Sequence, residues 1–248
     1  QGFVNLPEEW WHFRLDPEPA PNEYYDIPVS HSDASKPDAA IDRLMQRYDG
    51  DVPGASLLVI KDGVVRVKRG FGRSDLGGDI QADSRTNYRL ASISKQFTAS
   101  AVLLLMQDGA LALDDPLKRW LPSLPAAADA ISLRHLLTHT AGFSYSIAGD
   151  GPLENEYRRQ GLQAMSGGAL VTPGEALAPD LATYMKRLAT LLLRSDPGTS
   201  WFYSIGLDVA GALLERLTGK TLDRIFAEQL FQPLGMHDTG FWVSPAQQ

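Results

Sequence analysis

From Lys95 to Gly109 the chain carries Phe97, Val102, Leu103, Leu104, Leu105 and Met106 on a stretch without proline. Apolar side chains at these positions spread around most of a helix rather than along one stripe, so this helix has to be covered on several sides. The chain is therefore expected to fold about it, with Gly109 as its C-terminal cap. At its mouth stands Leu90-Ala91-Ser92-Ile93-Ser94-Lys95. Residues one turn apart share a helix face, so the heads of Ser92 and Lys95 can meet. A serine hydroxyl attacks only when a neighbour takes its proton, and a lysine beside it can do so. The opening of the helix adds backbone N–H groups and a positive dipole end where an oxyanion would form. Ser-x-x-Lys is also common by chance, so its weight depends on its company.

The 248 residues are 44% hydrophobic and 21% charged, with a mean hydropathy of −0.18. That balance fits one large domain or two small ones, with a core that needs no staples. Without cysteine there is no disulfide framework, thiolate metal site or thiol nucleophile. A net charge of −7, with no cluster of Lys or Arg, argues against nucleic acid and anionic membranes as partners. No apolar run approaches the roughly 20 residues of a membrane span, and no basic-then-apolar leader opens the chain. It begins at Gln1 without an initiator methionine, and is expected to be a processed or excised piece. The oligomeric state is left open. An extracytoplasmic bacterial location is favoured over a cytoplasmic one.

In chain order, Gln1 to His31 is dense in aromatics and proline, which forbids a helix and favours extended segments, with a strand over Glu8 to Phe13. Residues 32–37 are small and polar and read as a linker, and Pro37-Asp38 opens a helix that Gly50 closes. Gly54 to Ile60 reads as a buried strand, Lys61-Asp62-Gly63 as a hairpin turn, and Val64 to Gly70 as a half-exposed strand. Pro116 suits the first turn of a short helix over Leu117 to Trp120, and Ser132 can cap another from Leu133. His135 and His139 lie four apart but lack a third ligand in reach, which favours structural roles. Residues 143–180 form a weakly patterned insertion, with a helix near Leu153 to Gln163, where a substrate-shaping loop would sit. Further helices are expected over Asp180 to Leu193, over Leu207 to Leu217 with Gly219 ending it, and from Thr221 to Leu230.

Arg89-Leu90-Ala91-Ser92-Ile93-Ser94-Lys95, Leu113-Asp114-Asp115-Pro116-Leu117, Ile131 to Gly142 and Phe231 to Phe241 together resemble the serine β-lactamase-like hydrolases. These are the class C β-lactamases, the low-molecular-weight penicillin-binding proteins and the related esterases. The resemblance runs from about Asp38 to Val243. It implies an α/β (α+β) fold of the β-lactamase/transpeptidase type, an antiparallel sheet flanked by helices with a mostly helical subdomain. It makes Ser92 the acylated nucleophile and Lys95 its partner. It also places Tyr203, in Trp201-Phe202-Tyr203-Ser204-Ile205, at the tyrosine of the family's second motif, shuttling a proton between Ser92 and the leaving group. A packed tyrosine after a turn is the plain alternative. Ile205 departs from the pattern, because β-lactamases of this class carry Asn there, and Tyr203 to Val209 resembles the esterase branch best.

The family's third motif, of Lys-Thr-Gly or His-x-Gly type, does not follow before Gln248, so a fold truncated at its C-terminus is expected. The implied substrate is a small carboxylic ester, a β-lactam or a D-Ala-type peptide, with no cofactor. A catalytically incomplete module that recognises penicillin-like ligands is the rival reading. Separately, Gly2 to Phe13 and Tyr24 to Val29 resemble the C-terminal end of zinc D-alanyl-D-alanine dipeptidases. In that family Glu9 would match the general base and His12 one zinc ligand. A single histidine does not hold zinc, which takes about four ligands, so residues 1–31 read as a remnant ahead of a hydrolase domain at 38–248.

Overall fold

The computed structural model describes residues 2–6, 9–16, 37–124, 126–145, 149, 151–162 and 177–242. Two compact units emerge, one gathering Gln1–Pro19 with Leu90–Ala246, the other holding Ala20–Arg89.

The Ala20–Arg89 unit starts with α1 (Pro37–Met45), extended by one 3₁₀ turn to Tyr48 and stopped at Gly50. β3 (Ala55–Lys61) and β4 (Val64–Phe71) pair antiparallel, with Ala55 opposite Phe71 and Lys61 opposite Val64. Asp62 and Gly63 both have positive φ, +53° and +73°, the backbone of a two-residue turn whose twist matches the strands it joins. A short ladder, β5 (Arg73–Asp75) with β6 (Ile80–Gln81), follows. Arg69 on β4 meets Asp42 on α1 at 2.8 Å. The expected buried strand differs in one respect: Leu58, Val59 and Ile60 are exposed, and so are Val64 and Val65. β3 has β4 as its one hydrogen-bonded neighbour among the described residues, so an apolar run that would suit a sheet interior lies open.

In the other unit, β1 (Gly2–Leu6) and β2 (Glu9–Asp16) form an antiparallel hairpin. The remainder is helical: α2 (Lys95–Gln107), α3 (Leu133–Leu137), α4 (Pro152–Arg159), α5 (Leu181–Leu188), α6 (Gly206–Thr218) and α7 (Leu222–Phe226). Gly109 follows α2 with φ +72°, the cap its sequence demands. Yet α2 is not the most enclosed helix. It buries Thr98, Ala101 and Val102 and leaves Leu103 about half exposed, whereas α6 buries Gly206, Leu207 and every residue from Val209 to Leu214. Small residues explain this. A β-carbon on Gly206 would stand 2.7 Å from the Leu136 carbonyl oxygen, so α6 can lie against α3 only because that position is bare. Phe97 joins α2 to the end of this unit, its ring edge-on to Phe231 at 5.2 Å between centroids.

The architecture is that of the α/β class, helices with small antiparallel pairings. Among the described residues the strands form three two-stranded sheets rather than a single sheet flanked by helices. No helix of the described residues is long and apolar enough to cross a membrane. Residues 17–36, with the expected linker, lie outside the described residues apart from its last member, Pro37.

Candidate active site

Ser92 lies in a single 3₁₀ turn, Ala91–Ser94, that runs directly into α2 at Lys95. Both side chains are half-buried, and Lys95 Nζ donates to Ser92 Oγ across 3.3 Å. The turn starts with strain: Ala91 has φ +46°, a left-handed conformation that costs a β-carbon-bearing residue about 1–2 kcal/mol.

Two tyrosines close on the lysine. Nζ lies 4.7 Å from the ring centroid of Tyr203 and 5.5 Å from that of Tyr145, and the two rings meet edge to face at 5.4 Å. The amine of Lys95 is thus placed by two ring faces as well as by its hydrogen bond to Ser92. Tyr203 therefore joins Ser92 and Lys95 as the sequence anticipates, whereas Tyr145 was not singled out. Its signal is its place just after Gly142-Phe143-Ser144, within the weakly patterned insertion.

His139 forms the other wall of Tyr203, the ring centroids 4.6 Å apart. The Ser204 backbone N–H donates to His139 Nδ1 at 3.2 Å, which puts the proton of the neutral ring on Nε2. Burial, and then the charge of Lys95, push the imidazole below its ordinary range. Its backbone is left-handed too, at φ +56°. His135 does separate work, its Nδ1 accepting from the Ser132 N–H at 3.2 Å to cap α3. The two histidines share a helical spacing but not a site.

A row of main-chain bonds locks these parts together. Arg194 N–H donates to Gly142 O at 2.7 Å, Gly198 N–H to Thr140 O at 2.8 Å, Phe202 N–H to His139 O at 2.9 Å and Ile205 N–H to Ser144 O at 3.4 Å. Tyr203 thus sits on a strap anchored on both sides. Asp208 stands exposed on the first turn of α6.

Glu9 and His12 fall on β2, and their side chains lie outside the described residues. Among the described residues no three His, Cys, Asp or Glu side chains gather where a metal ion could sit. The assembled cluster is a hydroxyl, an amine and a phenol at the head of a helix, a set able to carry out acyl transfer with proton relay.

A family model described as Beta-lactamase matches residues 38–248. Esterase EstB of Burkholderia gladioli is 37% identical over 215 residues, which cover 84% of this chain and 51% of that protein. The solved structure of "EstCE1, a hydrolase with promiscuous acyltransferase activity" superposes with a TM-score of 0.72 at 31% identity, over 84% of this chain and 54% of that one. A "Beta-lactamase/D-alanine Carboxypeptidase" from Yersinia pestis gives a TM-score of 0.64 at 25% identity, over 85% and 58% of the two chains. The chain thus spans about half the length of these two relatives, EstB and EstCE1. With a family match across five-sixths of its length and this cluster at the head of α2, the chain belongs to the β-lactamase family.

Proposed function

We propose that this chain is a serine hydrolase working through an acyl-enzyme on a carboxylic ester, with Ser92 as nucleophile and Lys95 with Tyr203 handling the proton. The observation that carries this is the 3.3 Å bond between Lys95 Nζ and Ser92 Oγ beneath the ring of Tyr203. With Lys95 as the free amine, Ser92 Oγ adds to the ester carbonyl while its proton passes to Lys95 Nζ, and Tyr203 beside it relays that proton onward. The tetrahedral adduct collapses, and the alkoxide leaves with that proton. Water then adds to the acyl-enzyme by the same route, releasing the acid and restoring the Ser92 hydroxyl.

Ile205, where β-lactamases of this class carry Asn, favours esters over amides, and the likeness to Esterase EstB points the same way. A β-lactam or D-Ala-type peptide is the second reading, supported by the likeness to the Yersinia protein. Because the chain spans about half of these relatives, the activity, substrates and partners of a whole protein containing it belong to the same proposal. The family match begins at residue 38, which supports a boundary at the expected linker, 32–37; the dipeptidase-like reading of residues 1–31 rests on the sequence resemblance alone.

Intact-mass measurement after exposure to p-nitrophenyl butyrate and, separately, benzylpenicillin tests this, with Ser92→Ala as control. A butyryl adduct absent from the variant is the expected result. A penicilloyl adduct alone would favour the second reading. A folded sample that forms neither adduct overturns the hydrolase reading and leaves a recognition module without turnover.

A further inference from the structure

Glu154 is a carboxylate in an unusual place. It stands at the third position of α4 and is 5% exposed, and such a group is rarely buried without partners. Burial pushes its carboxyl up. The hydroxyl of Ser144, its own backbone N–H and Arg194 together outweigh that, and the net shift is downward. One oxygen, Oε1, accepts from both Ser144 Oγ and Arg194 Nη1, the latter at 2.9 Å.

Ser144 adjoins one tyrosine of the site, and Arg194 reaches the residue before the other. Ser144 is fully buried and precedes Tyr145. Its N–H donates to Tyr157 Oη, also on α4, at 3.2 Å, and its carbonyl accepts from Ile205 N–H. Burial pushes the Tyr157 phenol up to about 12, so it stays neutral alongside the ionised Glu154. The Arg194 guanidinium lies 4.0 Å from the ring centroid of Phe202, the residue before Tyr203. One buried carboxylate therefore grips the neighbours of both rings that face Lys95.

We propose that Glu154 is a positioning residue: through Ser144 and Arg194 it sets the placement of Tyr145 and Tyr203 against Lys95. The proposal rests on the acyl-enzyme reading for its kinetic consequence, but not for its structural one. Small displacements of reacting groups cost up to about 10²-fold in rate. Glu154→Ala is accordingly expected to lower the rate of Ser92 acylation by p-nitrophenyl butyrate about tenfold to a hundredfold, with KM within about twofold. Glu154→Gln keeps an acceptor for Ser144 while losing the charge that holds Arg194, and should restore part of the rate.

The test uses the full chain labelled with ¹³C at the tyrosine ζ carbon, the signals of Tyr145 and Tyr203 being identified by their Phe variants. Both signals should move in Glu154→Ala, and those of Tyr48 and Tyr88 should stay. The kinetic effect should also shrink in a Tyr203→Phe background, while the loss of melting temperature stays the same in both; a residue that only supported α4 would give additive losses. Ser144→Ala, which removes a single donor, serves if Glu154→Ala does not fold. Unmoved Tyr145 and Tyr203 signals overturn the proposal whatever the rate. If the signals move but the wild-type chain is never acylated, the positioning stands and the hydrolase reading fails.

Discussion

Lys95 is the residue whose replacement separates chemistry from packing. Methionine has nearly its length and apolar stem but no nitrogen to meet Ser92 Oγ, and proton transfer by a positioned side chain is worth about 10²–10⁴-fold. Lys95→Met should therefore fold with a melting temperature near that of the wild type and lose acylation by about that factor in a p-nitrophenyl butyrate assay. His139 predicts a pH dependence. Its folded-state pKa lies below its ordinary 6.5, so as pH falls the unfolded chain takes up the proton first and stability drops. The loss should begin near pH 6.5 and continue downward, and His139→Gln should flatten it in melting curves recorded from pH 7.5 to 5. The proposed trio Ser92, Lys95 and Tyr203 was singled out from short local patterns, and the contacts of Lys95 with the other two agree with that grouping. Tyr145, His139 as a wall of Tyr203, and Glu154 were not. Their meaning comes from bonds such as that between Glu154 and Arg194, forty residues apart, which no window of sequence displays.

Among the elements, several helix ends were anticipated: Gly109 and Gly219 stand in left-handed caps, Asp180 accepts the Thr183 N–H at the head of α5, and α4 starts one residue ahead of its expected stretch and ends four short of it. Which helix is central was not. Counting large apolar residues favours α2, whereas enclosure follows the small residues of α6 that let backbones approach. Gly206→Ala tests that account. Alanine gains about 0.5–1 kcal/mol in helix propensity, but its methyl would meet the Leu136 carbonyl at 2.7 Å, and overpacking costs typically about 1–3 kcal/mol. The clash should win, with a lowered denaturant midpoint and an unchanged slope. The β3–β4 hairpin shows the other limit of sequence reading. Its pairing and turn were legible, yet a continuous apolar run reports the tendency to be buried, not the presence of a neighbour to do it.

For the molecule as a whole, the net charge of −7 sets a bias on approach. Benzylpenicillin carries a carboxylate and p-nitrophenyl butyrate is neutral. Charge repulsion is screened over about 10 Å at 0.1 M salt and about 30 Å at 0.01 M. Raising salt between these values should speed acylation by the penicillin and leave the ester rate flat. Equal salt dependence for the two would show that the field at Ser92 differs from that of the chain overall.

The strap that holds Tyr203 has a consequence for how such a molecule can diversify. Its two stretches, 139–144 and 194–205, are stitched by main-chain bonds that do not depend on side-chain identity. The described residues between them include α4 and α5, and these bonds close that stretch whatever side chains it carries. Exposed side chains there, Ala182 and Lys186 among them, can therefore change while Tyr203 keeps its place. Glu154, if it positions the two tyrosines as proposed, is the side chain that such exchange would have to spare.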